Sequence, residues 1–248
     1  MLELDNVTKV YSTTNGHDIQ AVGGISMTIG ENELVCIVGR SGCGKTTALR
    51  LIAGLEKATA GRITLHGRPV NEPSSDRCVV FQRYTLFPWR TALANVAFGL
   101  EVQGIGKAER KKKARYYLSL VGLADHEDTY PAELSGGMQQ RVAVARALAA
   151  RPEVLLMDEP FGALDAQTRF ALQQELVRVW KTDRKTIIFV THDITEAVLL
   201  ADRVVVMQGL PGRIQAILEC TLPRPREKNS PAFLELCDRI HVLLEGVS

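Results

Sequence analysis

Residues 39–47 read GRSGCGKTT. They follow an apolar run, ELVCIVG at 33–39, and lead into TTALRLIAGL at 46–55, a run of good helix formers. A buried strand, a glycine-rich turn spaced G-x-x-x-x-G-K-T and a helix, in that order, leave the chain few folds to choose from. Glycines let successive backbone N–H groups curl into a nest around phosphate oxygens, and the helix that follows adds its positive end. Gly39, Arg40, Ser41, Gly42, Cys43, Gly44, Lys45, Thr46 and Thr47 are therefore the expected phosphate cradle. Lys45 is placed to reach the β- and γ-phosphates of a nucleotide, and the Thr46 hydroxyl to ligate Mg²⁺. Cys43 has two readings: a small filler, or a thiol activated by the helix start.

The remaining pattern builds a sheet around that loop. LELDNVTKVY (2–11), AVGGISMTI (21–29) and GRITLHG (61–67) alternate apolar and polar residues, as half-exposed antiparallel strands do. VLLMDEP (154–160), TIIFVTHD (186–193) and RVVVMQG (203–209) are apolar on both faces, as strands of a covered parallel sheet are. Three apolar strands end directly in polar residues: Val38 into the loop, Met157 into Asp158-Glu159, and Val190 into Thr191-His192-Asp193. Ligands of open parallel sheets sit outside the carboxyl ends of the strands, so these ends are expected to converge. Asp158 then suits Mg²⁺, and Glu159 suits an attacking water.

The middle of the chain, about 91–151, reads as helices: 92–104, 107–123 and 134–148. Further helices are expected at 168–183 and, behind Ser230 as N-cap and Pro231, over a face of Phe233, Cys237, Ile240 and Leu244. The run LSGGMQQRVAVARAL (134–148) raises a question of its own. Each glycine costs a helix interior about 1 kcal/mol relative to Ala, yet Gly136 and Gly137 stand at this helix's front behind Ser135. Such a start leaves bare N–H groups at a positive helix end, an anion site in waiting. The basic run KAERKKKAR (107–115) reads as a solvated face or as a contact for anionic headgroups.

Composition narrows the class. A net charge of +2 gives no electrostatic case for nucleic acid. Five cysteines without a CxxC pair point to a reducing compartment. The histidines form no metal-ligand cluster, the N-terminus carries no signal pattern, and no apolar run approaches the roughly 18 residues of a membrane span.

Taken together, the motifs resemble those of the ATP-binding cassette (ABC) ATPases over essentially the whole length. Residues 39–47 match the family's phosphate loop, Gln82 in VVFQRYTLFP its glutamine loop, and residues 134–139 its signature. Residues 155–159 match its acidic strand, Ala163-Leu164-Asp165 the loop that follows, and His192 its switch histidine. Tyr11 falls where the family stacks an aromatic on adenine; a plain core aromatic is the other reading. The resemblance implies a P-loop NTPase α/β fold: a mixed, largely parallel core sheet, an N-terminal antiparallel β subdomain and an inserted helical signature subdomain. All of it forms one nucleotide-binding domain, 1–248. It implies ATP and Mg²⁺ as cofactors, with Thr46, Gln82 and Asp158 at the metal. Lys45, Gln82, Glu159 and His192 are the implied catalytic set, with Glu159 and His192 both open as the group that takes the water's proton.

In the family two such domains pair head to tail on binding ATP. Ser135, Gly136, Gly137 and Gln139 of one copy then face the nucleotide of the other, which answers the question of the glycines. LFPWRTALANVAFGLE (86–101), LPGRI (210–214) and LPRPREKNSPAF (222–233) resemble the nitrate/sulfonate/taurine importer branch. That implies a homodimer on the cytoplasmic face of the inner membrane, docked on transmembrane permease subunits and served indirectly by an external solute-binding protein, with no nucleic acid. Phe87, Pro88 and Trp89 read either as local core or as a groove for a permease helix. Two other readings stand beside this one: a soluble cassette acting on DNA or ribosomes, and a non-hydrolysing scaffold.

Overall fold

The computed structural model describes residues 1–12, 17–82, 85–162, 164–183 and 185–245. Ala163 of the expected loop, and Arg83 and Tyr84 beside Gln82, lie outside them. The described residues divide into two compact units, 1–74 with 185–248, and 75–184.

The first unit opens with β1 (Leu2–Ser12), β2 (Asp18–Ile29), β3 (Leu34–Gly39), α1 (Lys45–Ala53), β4 (Ala60–Leu65) and the short β5 (Arg68–Pro69). Strands β2-β1-β4-β5 form an antiparallel sheet. Its register follows from side-chain period. Leu2 and Leu4 point inward, but the next buried residue is Val7, three positions on. A period of two cannot make that step, and the pairing slips between Leu4 and Val7 at Asn6, whose φ is 47°. The same bulge returns the apolar face to the core.

The second unit holds β6 (Arg77–Val80), α2 (Ala92–Val102), α3 (Lys107–Leu120), α4 (Gly136–Ala149), β7 (Val154–Asp158) and α5 (Ala166–Asp183). Strands β6 and β7 pair in parallel, Val80 opposite Met157. Helices α2, α3 and α4 pack on one another. On α3, Lys113 pairs with Glu109 at 2.8 Å and Arg115 with Glu127 at 2.6 Å, while Lys107, Lys111 and Lys112 are exposed. The basic run thus lies on an exposed helix face laced with ion pairs, as both of its readings require.

The chain then returns to the first unit through β8 (Thr186–Thr191), α6 (Ile194–Leu200), β9 (Arg203–Gln208), β10 (Arg213–Glu219) and α7 (Pro231–Glu245). Here the order is β10-β9-β3-β8, with β3 parallel to both β8 and β9, and β10 antiparallel to β9. Every residue of β3 and β8 is buried, as two-sided cover requires. On α7 the buried residues are Phe233, Leu236 and Ile240. The Ser230 hydroxyl donates to the Glu227 carbonyl at 2.9 Å. The architecture is the expected α/β fold with an antiparallel N-terminal sheet, and β6, β10 and α6 are elements the sequence pattern did not announce.

Candidate functional site

In the first unit, Val38 of β3 pairs with Thr191 of β8 in parallel register. Gly39 and His192 therefore leave adjacent strands at the same edge. Beyond Gly39 the loop carries exposed Arg40, Ser41 and Gly42, then turns into α1 at Gly44, whose φ of 91° puts it in the left-handed region. Gly44 is the N-cap and brings no capping side chain. The first-turn N–H groups, which a helix leaves without internal acceptors, thus receive no cap from the N-cap residue. The Lys45 ammonium, on a residue only 6% exposed, donates to the carbonyls of Gly39 at 2.8 Å and Arg40 at 3.0 Å, so it lies within the loop. Thr46 and Thr47 are half-buried in the first turn of α1. Burial of Cys43 pushes its thiol above its ordinary pKa, against a smaller opposite effect of Lys45. Of its two readings the small filler is the one that fits.

The back of the loop is main chain against main chain. A Cβ at Gly44 would stand 2.6 Å from the Ala21 carbonyl oxygen, and one at Gly212 would stand 2.0 Å from that of Cys43. The Gly212 N–H also donates to Ala21 at 3.0 Å, and Gly23 donates to the Gly212 carbonyl at 2.9 Å. Gly212 thus walls the back of the loop, a role that the spacing of the phosphate-loop motif does not announce and that only its place in LPGRI hints at.

Tyr11 stands beside the loop's helix. Its hydroxyl donates to Glu56 and meets Thr47, while the Lys9 ammonium sits 4.9 Å from its ring centroid. Burial, with Glu56 second, raises the phenol above its ordinary pKa. His192 is exposed, between β8 and α6.

In the second unit, β7 ends on buried Asp158, 5% exposed. The next residue, Glu159, has φ 46°, a left-handed conformation that costs a non-glycine residue about 1 kcal/mol or more. The turn after it is closed by Gly162 N–H to Glu159 O at 3.1 Å and pinned by Arg169, which donates to the carbonyls of Phe161 and Leu164. Asp165 caps α5, and the N–H of Thr168 on its carboxylate, the largest effect, lowers its pKa. The exposed Gln82 amide approaches Glu159 at 3.5 Å, the outer limit of a hydrogen bond.

Helix α4 begins as the sequence suggested. Ser135 is its N-cap and takes the Met138 N–H at 3.3 Å. The N–H groups of Gly136 and Gly137, first in the helix, have no intrahelical acceptor. Gln139 donates its amide to the carbonyls of Pro131 and Leu134 at 2.9 and 3.1 Å, which fixes the turn that feeds this helix start.

Also in this unit, Phe87, Phe98, Val102, Arg146, Cys78 and Ala150 are among the residues that line a largely apolar cavity of about 400 Å³. Phe87 packs edge-on against Phe98 at 4.6 Å, and Trp89 beside it is 72% exposed. The fully buried Asn95 holds this loop. Its amide nitrogen donates to Phe87, Arg90 and Thr91 carbonyls, and its oxygen accepts the Phe87 N–H at 2.8 Å.

A buried strand, a G-x-x-x-x-G-K-T turn and an uncapped helix start define a P-loop nucleotide-binding protein. The family model described as ABC transporter matches residues 22–162. An uncharacterised ABC transporter ATP-binding protein of Methanocaldococcus jannaschii is 52% identical across 98% of this chain and 91% of its own. The nitrate import ATP-binding protein NrtD of Synechocystis is 47% identical across 99% and 95%, and the bicarbonate transport ATP-binding protein CmpD of the same organism 45% across 95% and 86%. Among solved structures, a dimeric ATP-binding cassette in a post-hydrolysis state, bound to ADP and Pi, aligns at a TM-score of 0.81. It is 34% identical and covers 90% of this chain and all of the other. The chain belongs to the ABC transporter family, and it is an ATP-binding, ATP-hydrolysing cassette.

Proposed function

We propose that this chain is the energy-coupling ATPase subunit of an importer for a small anionic or polar solute of the nitrate or bicarbonate kind. The carrying observation is similarity over nearly the whole chain to ATP-binding proteins of nitrate import and bicarbonate transport. The chain acts as one nucleotide-binding domain, 1–248, with the helical stretch of about 91–151 inserted.

The uncapped start of α1 and the inward ammonium of Lys45 suit a triphosphate. Residues 39–47 grip it, and the adenine stacks on the Tyr11 face away from Lys9. Among the described residues no three of His, Cys, Asp and Glu form a metal cage. Mg²⁺ is commonly held by one or two carboxylates and the substrate's own phosphates. Thr46, Gln82 and Asp158 are its proposed protein ligands. When bound, the ion neutralises charge developing on the phosphates.

Glu159 orients the attacking water, Glu159 or His192 takes its proton, and His192 hydrogen-bonds the terminal phosphate. Ser135 and the N–H groups of Gly136 and Gly137 act in trans, on the nucleotide of a second copy, while Gln139 keeps their turn in place. Dimers of related cassettes support this pairing. Among the described residues no helix is long and apolar enough to cross a membrane. The chain sits peripherally on the cytoplasmic face, with the Phe87–Phe98 cavity receiving a permease helix and Trp89 anchoring its rim. The solute-binding protein acts through that permease.

The test is affinity capture of the tagged full chain from detergent-solubilised membranes, followed by uptake assays in a strain lacking it. Recovery of a permease and loss of nitrate, bicarbonate or sulfonate uptake is expected. Capture of ribosomes or DNA in place of a permease overturns the reading.

A further inference from the structure

Helix α6 has only seven residues, well short of the length at which a helix holds itself. Its start is secured locally: Thr191 accepts the Asp193 N–H at 3.0 Å, and Asp193 accepts the Glu196 N–H at 3.1 Å. Its end is secured from far along the chain. The Ala201 N–H takes the Ala197 carbonyl, which leaves those of residues 198, 199 and 200. Arg226 donates to Val198 at 2.7 Å, to Leu199 at 3.4 Å and to Ala201 at 2.6 Å, and Arg224 donates to Leu200. The rest of the Arg226 guanidinium goes to the carbonyls of Leu222 and Cys220. Arg226 is 8% exposed. This is a buried cation whose acceptors are carbonyls, three of them at the negative end of a helix, where positive charge is favoured. Arg224 also binds the Asp202 carboxylate at 2.6 Å, and the other oxygen of Asp202 takes the Leu34 N–H at 2.9 Å. The pair is thereby tied to β3, the strand that leads into the phosphate loop.

The residue just before this helix's N-cap is His192. His192 is exposed, and its backbone is set by β8 on one side and α6 on the other. We propose that Arg224 and Arg226 are positioning residues for ATP hydrolysis: clamping the far end of α6, about 10 Å from its start, they hold His192 in place against the terminal phosphate. This rests on the assignment of His192 to that phosphate. The arginines touch no reacting atom and act only through the helix.

The test compares ATP hydrolysis by the full chain and by Arg226→Met, Arg226→Lys, Arg224→Met, His192→Ala and the double variant His192→Ala/Arg226→Met. A displacement of this kind is expected to lower kcat about tenfold in Arg226→Met, with KM for ATP unchanged within about twofold. Arg226→Lys, which keeps the charge but not the fork of donors, recovers part of the loss. In the His192→Ala background Arg226→Met then changes the residual rate less than about twofold, because the group it positions is gone. A merely structural role predicts the same tenfold loss in both backgrounds, and that result overturns the proposal. So does wild-type kcat in folded Arg226→Met. Wild-type turnover in His192→Ala removes the histidine assignment itself, and the clamp's function with it. Should Arg226→Met not fold, Arg226→Lys and Arg224→Met carry the same comparison.

Discussion

Asn95 offers a sharp test of how the Phe87–Thr91 loop is held. Truncation to alanine removes four hydrogen bonds at once. Not every partner is orphaned. The Phe87 carbonyl keeps the Arg90 N–H at 3.1 Å, and the Thr91 carbonyl keeps the Asn95 N–H at 2.8 Å. The Phe87 N–H and the Arg90 carbonyl lose the partner described here. An unmade buried hydrogen bond costs about 1–3 kcal/mol, and half-exposure of this loop favours the lower part of the range for each group. The sum is about 3 kcal/mol, which corresponds to a fall in Tm of about 6–12 °C for a chain of this size. Asn95→Asp discriminates further. It keeps an acceptor for Phe87 but turns a donor into an oxygen facing three carbonyls. Above neutral pH it is expected to be worse than alanine. The acid is favoured neutral in that setting, so its folded pKa lies above the unfolded one and the deficit shrinks as pH falls. Thermal unfolding by circular dichroism at pH 6 and pH 8 reads both effects. An alanine variant melting within 2 °C of wild type, the 2 °C being about the shift from 1 kcal/mol, refutes the assignment of Asn95 as the loop's anchor. So does an aspartate variant no worse than alanine at pH 8.

Glu159→Gln is expected to bind ATP normally, to lose nearly all steady-state hydrolysis and to accumulate an ATP-held dimer, read by size-exclusion chromatography with ATP; unchanged turnover removes Glu159 from the mechanism. Ser135→Arg is expected to spare nucleotide binding by the monomer and block pairing, checked by equilibrium ATP binding beside sedimentation. Gly212→Ala puts a methyl into the Cys43 carbonyl, and ATP affinity measured by calorimetry should fall at least tenfold (about 1.4 kcal/mol). Cys36, Cys43 and Cys220 all have raised pKa values, and burial pushes Cys237 up to about 11. The unfolded chain releases those protons first, so stability should fall as pH rises from about 9 toward 11, and Cys237→Ser should flatten that slope in urea titrations.

Much of the molecule could be read in advance. The buried strands announce themselves because both faces are apolar, as in LVCIV and TIIFV, and the helices over 92–149 because long stretches rich in Ala, Leu, Lys and Arg stop at Gly104, at Gly122 and before Pro152. The phosphate loop is legible because its chemistry dictates glycine, lysine and threonine at fixed spacing. What escaped was whatever depends on distant partners. Helix α6 is too short to show a period, and its end is capped by arginines more than twenty residues later. Strand β10 alternates exposed and half-buried residues, but Ile217 stands on the exposed side and blurs that period in the sequence. The donations of the Gln139 amide to the Pro131 and Leu134 carbonyls are likewise not announced by its place in the signature. Nothing in the local sequence of Tyr11 announces Glu56 as its neighbour.

The wall behind the phosphate loop has a further consequence. Side chains yield to pressure by changing rotamer; abutting peptide planes cannot. The curvature of residues 43–44 is therefore dictated by where Ala21 and Gly212 run, two places far apart in the chain and outside the phosphate-loop motif. Laboratory variants selected for altered nucleotide preference should seldom tolerate change at Gly212, and an error there would disable the enzyme while leaving every signature letter intact.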